Sequence, residues 1–373
     1  MPKKWEPKYI ITPKTARYLM DIEKIKQAME TMSIPPAAAA QMKYNAMIKA
    51  THYSTRIEGN RLTLKEAEQV IKKNKVMFHG RERDVKEVKN YWNALNSIQK
   101  WADSKTEFSE EIIKKIHGIV IKGKKGTLTS YRAEQNSIKD SKTGRIVYLP
   151  PEAKDVSGLM KSMEKWVKKT EKEKIPIPII AALVHYQFVT IHPYYDGNGR
   201  TARLLATFIL QKNGYGLNGF FSLEEYHAAN LSGYYKALAT HKHHNYYEGR
   251  AAADLTGWIE YFIFLVAEVF RNVHKEALAY IKKGVKAEPI ALRKLDIRAK
   301  NVLGLFINKE AITTADIASL LGLSQRMARN LANKWAKQRV LKTVGDSRKT
   351  RAYELTATYR KFIGNKRKQY NFV

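Results

Sequence analysis

Between Ile175 and Tyr195 the chain carries no Lys, Arg, Asp or Glu, in a sequence that is 27% charged. A helix that is apolar on every side has to be buried, so this run fixes the centre of the fold. A membrane span is the rival reading. Pro176, Pro178, His185, Gln187, His192 and Pro193 argue against it. The run therefore predicts a buried helix that enters a loop near His192.

Most of the remaining sequence keeps a helical period. Pro35 and Pro36 open a helix that runs to Ile57, and Gly59 closes it. Further helices are expected over Leu64–Asn74, Val85–Ser104 and Ser109–Ile121. Others follow from about Ala153 to Lys283, with loops at His192–Gly199 and Asn213–Leu223. Asn136–Ile138 and Arg145–Tyr148 flank a polar turn containing Gly144 and predict a short β-hairpin.

At 373 residues, two or three domains are expected. A hydrophobic content of 44% excludes wholesale disorder. The absence of Cys excludes disulfide frameworks, thiolate zinc sites and cysteine nucleophiles. Lys and Arg total 67 against 35 Asp and Glu, a net charge of +32. Such a chain suits anionic partners (nucleic acid, phosphorylated ligands, an acidic protein or a membrane surface), although solvated lysine faces give the same balance. The opening MPKKWEPKYI has no apolar stretch resembling a secretory signal. The expectation is a soluble, cytoplasmic protein.

The block after a linker over Lys282–Pro289 has another pattern. Thr314–Ser324 reads as a helix, a glycine turn at Gly322 and an N-cap. Gln325–Arg339 reads as a second helix and Val340–Leu355 as a two-stranded wing around Gly345 and Asp346. Residues 291–373 hold 19 Lys/Arg and 5 Asp/Glu. Gln325, Arg326, Arg329, Asn330 and Lys334 on the second helix, with Arg348, Lys349 and Arg351 on the wing, suit contacts to DNA phosphates and grooves. A docking or dimerisation module fits the same pattern.

The segment from Ile191 to Arg203, IHPYYDGNGRTAR, carries the chemistry. Gly197 and Gly199 allow a tight turn and close approach to a ligand. The N–H groups opening the next helix favour an anion. Arg200 and Arg203 lie three apart, on one side of that helix, and complete a polyphosphate cradle. Asp196 can hold a Mg²⁺ ion that bridges phosphate oxygens, and His192 is a base near neutral pH. Together these groups suggest transfer from a nucleotide.

HPYYDGNGRTAR resembles the Fic-family signature HPFx(D/E)GNGRxxR, departing from it at Tyr194, where Phe is usual. The resemblance covers about Met42 to Tyr261. It implies protein adenylyl transfer: a target hydroxyl, deprotonated by His192, attacks the α-phosphate of ATP and pyrophosphate leaves. It implies Asp196 as the Mg²⁺ ligand, and Gly197, Asn198, Gly199, Arg200 and Arg203 as the phosphate-binding set. Ser54-Thr55-Arg56-Ile57-Glu58-Gly59 is similar to the family's inhibitory motif (S/T)xxxE(G/N). There Glu58 would pair with Arg203 in the place of the γ-phosphate. Glu58 also sits at a helix C-terminus, where the macrodipole disfavours a carboxylate and a cation should compensate it. The hairpin sits where the family carries a flap that pins the target segment. Asn230 and Tyr235, in Asn230-Leu231-Ser232-Gly233-Tyr234-Tyr235, resemble residues near the adenine; core packing of both tyrosines is the rival reading.

The fold expected is mainly α: a helical region over residues 1–105 with the inhibitory helix at about 37–58, and a Fic-type bundle over 106–283. The bundle carries the flap (about 130–150) and the signature loop (192–203), and a winged helix over 290–373 follows. Three rivals to adenylyl transfer stand: removal of AMP, transfer from another nucleotide or phosphate donor, and a DNA-binding regulator whose Fic core senses nucleotide. A protein target with an acceptor hydroxyl, self-modification and a homodimer are the partner expectations. Two decoys fall away. Gly118–Lys125 lacks the Ser/Thr and the preceding strand of a P-loop. His241-Lys242-His243-His244 has no companion carboxylate at helical spacing for a metal.

Overall fold

The structure is a computed structural model that describes residues 5–73, 78–123, 128–140, 143–284, 290–293, 295–307, 309–321, 323–345 and 352–363. It is mostly helical. In chain order the elements begin with α1 (Pro13–Thr31), α2 (Pro36–Ile57), α3 (Leu64–Lys73), α4 (Glu82–Asp103) and α5 (Glu110–Lys122). A hairpin of β1 (Ile138–Lys139) and β2 (Ile146–Tyr148) follows, then α6 (Ala153–Glu173), α7 (Ile177–Ile191) and α8 (Asn198–Lys212). The short helices α9 (Glu224–Ala229) and α10 (Leu231–Leu238) precede the long α11 (Thr256–Gly284). The last stretch holds α12 (Ile290–Arg293), α13 (Ile297–Leu303), β3 (Ala311–Ile312), α14 (Thr314–Leu321), α15 (Gln325–Lys337), β4 (Leu341–Val344), β5 (Ala352–Leu355) and α16 (Ala357–Arg360).

Two compact units divide the chain: residues 1–31 with 45–274, and residues 32–44 with 275–373. The expected boundary near residue 105 is therefore no division at all. The reason is packing, because α4 lies against both α5 and α8 and its Tyr91, Ala94 and Ile98 are buried among the core residues. α1, a helix the periodicity did not single out, belongs to the same unit.

α7 is the predicted buried helix. Pro178 stands in its first turn, and almost every residue from Pro178 to Ile191 is buried. It packs on α6 and α8, while Trp258 of α11 donates its indole N–H to the Ala182 carbonyl at 2.7 Å. α5 shows the local rules plainly. Ser109 caps it by accepting the Ile112 N–H, Glu110 and Glu111 sit in its first turn, and Gly123 ends it at φ 70°. The P-loop look-alike is therefore helix as far as Lys122. The hairpin pairs β1 and β2 antiparallel, Ile138 opposite Tyr148.

In the second unit β3, β5 and β4 form an antiparallel sheet in that order, with Tyr353 and Leu355 facing a core that includes Ile317, Ala332 and Trp335. Ser324 caps α15 through the Met327 N–H. β3 was not expected from the sequence. Gly322, Asp346, Arg348, Lys349 and Arg351 lie outside the described residues. No described helix is long and apolar enough to cross a membrane.

Candidate active site

The loop from His192 to Gly197 links the two most buried helices of the first unit, and its geometry follows from both. α7 stops because His192 turns left-handed (φ 50°, ψ 59°) while its N–H still reaches the Phe188 carbonyl at 3.0 Å. The ring Nδ1 lies 3.3 Å from the Val189 carbonyl, which can only accept, so Nδ1 carries the proton. Nε2 is left with a free lone pair. Burial lowers the His192 pKa to about 4, so the ring is neutral at pH 7. A neutral imidazole with an unoccupied Nε2 is the form a general base requires.

The loop is held from within and from behind. Asn198 is buried, and its amide brackets Tyr194, accepting that residue's N–H at 3.0 Å and donating to its carbonyl at 2.7 Å. Its side chain thereby makes two hydrogen bonds inside the loop. The Tyr194 ring stacks flat on His117 of α5, centroids 3.4 Å apart. His117 Nε2 is 2.9 Å from the Asp196 carbonyl and must donate to it, and Nδ1 lies 2.8 Å from the Thr129 hydroxyl. Gly197 has φ 80°, and a Cβ there would press on Ile121 and His117.

α8 opens onto the loop with its first N–H groups unpaired within the helix. Asp196 is exposed, its Oδ1 accepting from the Gly197 N–H at 2.6 Å and from Arg200 Nη2 at 2.9 Å. Burial alone would raise its pKa. Arg200, the Gly197 N–H and Arg83 outweigh it and hold the carboxyl below its usual range. Arg200 is buried against Glu87 of α4, 3.5 Å away. Glu87 in turn accepts from Arg83 at 3.0 Å and from Asn60 at 3.0 Å.

Arg203 is buried on the next turn of α8 and is met by the end of α2. Its Nε donates to Ser54 Oγ at 2.9 Å, and its Nη2 to the Ser54 carbonyl at 2.9 Å and to Glu58 Oε1 at 2.8 Å. Burial works against this charge, but Glu58, Tyr234 and Tyr91 outweigh it and raise the pKa. Gly59 then turns the chain away at φ 89°. A Cβ on Gly199 would overlap Glu58 Oε1, so the carboxylate rests directly on the first turn of α8.

The structure thus brings His192, Asp196, Gly197, Gly199, Arg200, Arg203, Ser54 and Glu58 around the loop. Asn230 is exposed and caps α10 by accepting the Gly233 N–H at 3.0 Å. Tyr235 is half-exposed at 50%, and burial, then Glu58, raises its pKa. Its neighbour Tyr234 is the packed one, hydrogen-bonded to His185 at 3.1 Å. Asn60, Glu87, His117 and Arg132 were not singled out from the sequence. Only Asn60, directly after Gly59, and the i,i+4 pair Arg83–Glu87 carried a local signal.

Residues 107–210 match the model of the Fic/DOC family. Among curated relatives, the Protein adenylyltransferase Fic of Drosophila grimshawi is 28% identical over 200 residues, 53% of this chain and 40% of that protein. The protein of the same name from Nematostella vectensis is 29% identical over 203 residues, 52% of this chain and 45% of that one. The matched stretch thus spans less than half the length of these relatives. A Fic family protein from Desulfovibrio desulfuricans G20 aligns over 95% of this chain and 99% of its own at TM-score 0.59 and 23% identity. A Fic domain containing signaling protein from Bacteroides thetaiotaomicron covers 70% and 97% at TM-score 0.61 and 21% identity. Both share the fold.

Proposed function

We propose that the protein is an adenylyltransferase that moves AMP from ATP to a hydroxyl of a target protein and is held back by its own Glu58. The observation that carries this is the Glu58 carboxylate, an anion resting on Gly199 at the start of α8 and bonded to Arg203. An N-terminal helix turn with two arginines is an anion site, and here the chain's own carboxylate occupies part of it. Its departure frees Arg203 for a terminal phosphate.

In the reaction, His192 Nε2 takes the proton of the acceptor hydroxyl, whose oxygen attacks the α-phosphorus. The bond to pyrophosphate breaks, and the backbone N–H groups of Gly199 and its neighbours, with Arg200 and Arg203, hold the charge that develops. Asp196 is a fitting Mg²⁺ ligand, an exposed carboxylate beside the phosphate cradle. No three His, Cys, Asp or Glu cluster among the described residues, so phosphate oxygens and water would complete the set. Mg²⁺ there supplies charge neutralisation on the phosphates.

The test is ATP labelled on the α-phosphate, incubated with Mg²⁺, cell lysate and wild type, Glu58→Gly or Glu58→Gly/His192→Ala. Label on protein should rise with the first change and vanish with the second. No label in any lane would refute adenylyl transfer and favour AMP removal or another donor.

A second reading concerns the C-terminal unit, which we propose is a winged helix that binds duplex DNA. It is supported by α15, where Gln325, Arg326, Arg329, Asn330 and Lys334 are all exposed along one helix. Lys334 is partly drawn to Asp296, 3.6 Å away. Duplex DNA binding by the full chain should weaken steeply as salt rises, and Arg326→Gln/Arg329→Gln should weaken it further while making its salt dependence shallower. Binding indifferent to both would refute this reading.

A further inference from the structure

The segment leading into the hairpin holds a buried arginine that the reaction above does not use. Arg132 is 3% exposed, and no ion pair among the described residues involves it. Its guanidinium faces carbonyls instead. Nε donates to the His192 carbonyl at 3.0 Å, Nη1 to the Glu134 carbonyl at 3.0 Å, and Nη2 to the Pro151 carbonyl. Its own N–H donates to the Pro193 carbonyl at 2.9 Å. Glu134 and Pro151 are the two feet of the hairpin, so one side chain ties both feet to the residue that carries the base.

The same seam continues on either side. The Tyr148 hydroxyl donates to the Thr190 carbonyl at 2.6 Å, and Asn136 donates to the Tyr194 carbonyl at 3.1 Å. The Tyr195 hydroxyl accepts the N–H groups of Ala133 and Glu134 at 3.2 and 3.0 Å. Residues 190, 192, 193, 194 and 195 are thus each bonded to the hairpin or its stem. His192 sits in the left-handed region, which a residue with a Cβ holds only where its surroundings impose it. The Arg132 bond to its carbonyl is one such constraint.

We propose that Arg132 is a positioning residue that locks the hairpin and the base into one frame, so that a hydroxyl presented along the hairpin arrives within reach of His192 Nε2. This rests on the adenylyl-transfer reading for its consequence in turnover, but not for the clamp itself. A planar fork with three bonded carbonyls is not reproduced by an ammonium, so Arg132→Lys should break the frame while keeping the charge.

The experiment compares Glu58→Gly with Glu58→Gly/Arg132→Lys in the full chain by three readouts. Backbone hydrogen exchange should rise together in 133–151 and 190–195 while α8 from Arg200 onward keeps its protection. The Kd for Mg²⁺–ATP should stay within about twofold, because the phosphate cradle lies beyond the seam. The turnover number for AMP incorporation should fall about 100-fold, the scale of a misplaced catalytic group. Should the lysine variant fail to fold, Tyr195→Phe removes two bonds of the same seam at an exposed ring. It should raise exchange in the same two segments to a smaller degree. Exchange unchanged, or raised in only one segment, overturns the clamp. Raised exchange with full turnover overturns the positioning role. A parent that transfers no AMP refutes the function instead and leaves the exchange result to decide the clamp.

Discussion

Replacing Glu58 by Gly tests the central electrostatic contact of the site. In the resting chain Glu58 Oε1 lies 2.8 Å from Arg203 Nη2, with the arginine side chain 1% exposed and the glutamate 33%. A hydrogen bond to a charged group contributes about 1.5–3 kcal/mol, and the exposed third of Glu58 places this pair in the lower half of that range. If productive ATP binding must first break it, its removal raises AMP incorporation roughly 10- to 50-fold, at 1.36 kcal/mol per decade. The arginine does not collapse when Glu58 goes, because Ser54 still accepts from Nε and Nη2 at 2.9 Å each. It does lose its countercharge. The variant should therefore melt lower than wild type without nucleotide, and saturating Mg²⁺–ATP should raise its melting temperature more than it raises the wild type's. The assays are α-labelled ATP incorporation and thermal melts with and without nucleotide. Incorporation equal to or below wild type, or an identical nucleotide-induced shift in both proteins, would refute the reasoning.

The remaining predictions concern the frame around that contact. The His192 pKa of about 4 keeps the base neutral, so incorporation by Glu58→Gly should be flat between about pH 5.5 and 7.5, where an ordinary histidine would lose its free lone pair below about 6.5. A fall centred near the ordinary value would contradict the buried ring. Gly199→Ala places a Cβ on Glu58 Oε1 and should cost about 1–2 kcal/mol by melting. Most of that cost should vanish when Glu58 is already Gly, and additive losses would deny the contact. Tyr194→Phe removes a buried hydroxyl that makes no hydrogen bond of good geometry among the described residues, its nearest polar neighbour being Thr129 beside His117. The melting point should hold or rise, by up to about 1 kcal/mol, and a clear loss would show the hydroxyl bonded.

The parts of the site that were legible in the sequence are those whose reasons are local. Gly197 is needed for a positive φ, and His192, Asp196 and the two arginines sit at fixed offsets from one glycine loop. Ser54 and Glu58 lie four apart on one helix, so that one arginine can meet both. The charge-free run announced α7 because a helix apolar on all sides has nowhere to go but the core. What stayed hidden depends on distant segments meeting. Nothing near Arg132 in sequence announces that its acceptors will come from residues 134, 151 and 192. His117 looks like one more polar residue on an amphipathic helix until Tyr194 stacks on it. The supposed boundary at residue 105 followed chain order, whereas α4 and the end of α2 supply the walls of the loop itself.

Those hidden partners give the site two separately supported halves. On the side proposed for the phosphates, Asn60 follows Glu58 by two residues and donates to Glu87, which lies against Arg200, itself paired with Asp196. The turn that ends α2 therefore touches both arginines of the cradle, Arg203 through Glu58 and Arg200 through Glu87. On the proposed reading, a movement of that turn would change the charge facing both ends of a polyphosphate at once. On the acceptor side, Arg132 and Tyr195 tie the hairpin to His192 and contact neither arginine. Loss of Glu87's charge, as in Glu87→Gln, leaves Arg200 with less countercharge and should accordingly tighten Mg²⁺–ATP binding by roughly 3- to 10-fold, in line with about 1 kcal/mol for one ion contact released. Hairpin exchange should stay as it is. An Arg132 variant should do the reverse. If either substitution moved both readouts equally, the loop would be one cooperative block, and a switch confined to the phosphate half would be untenable.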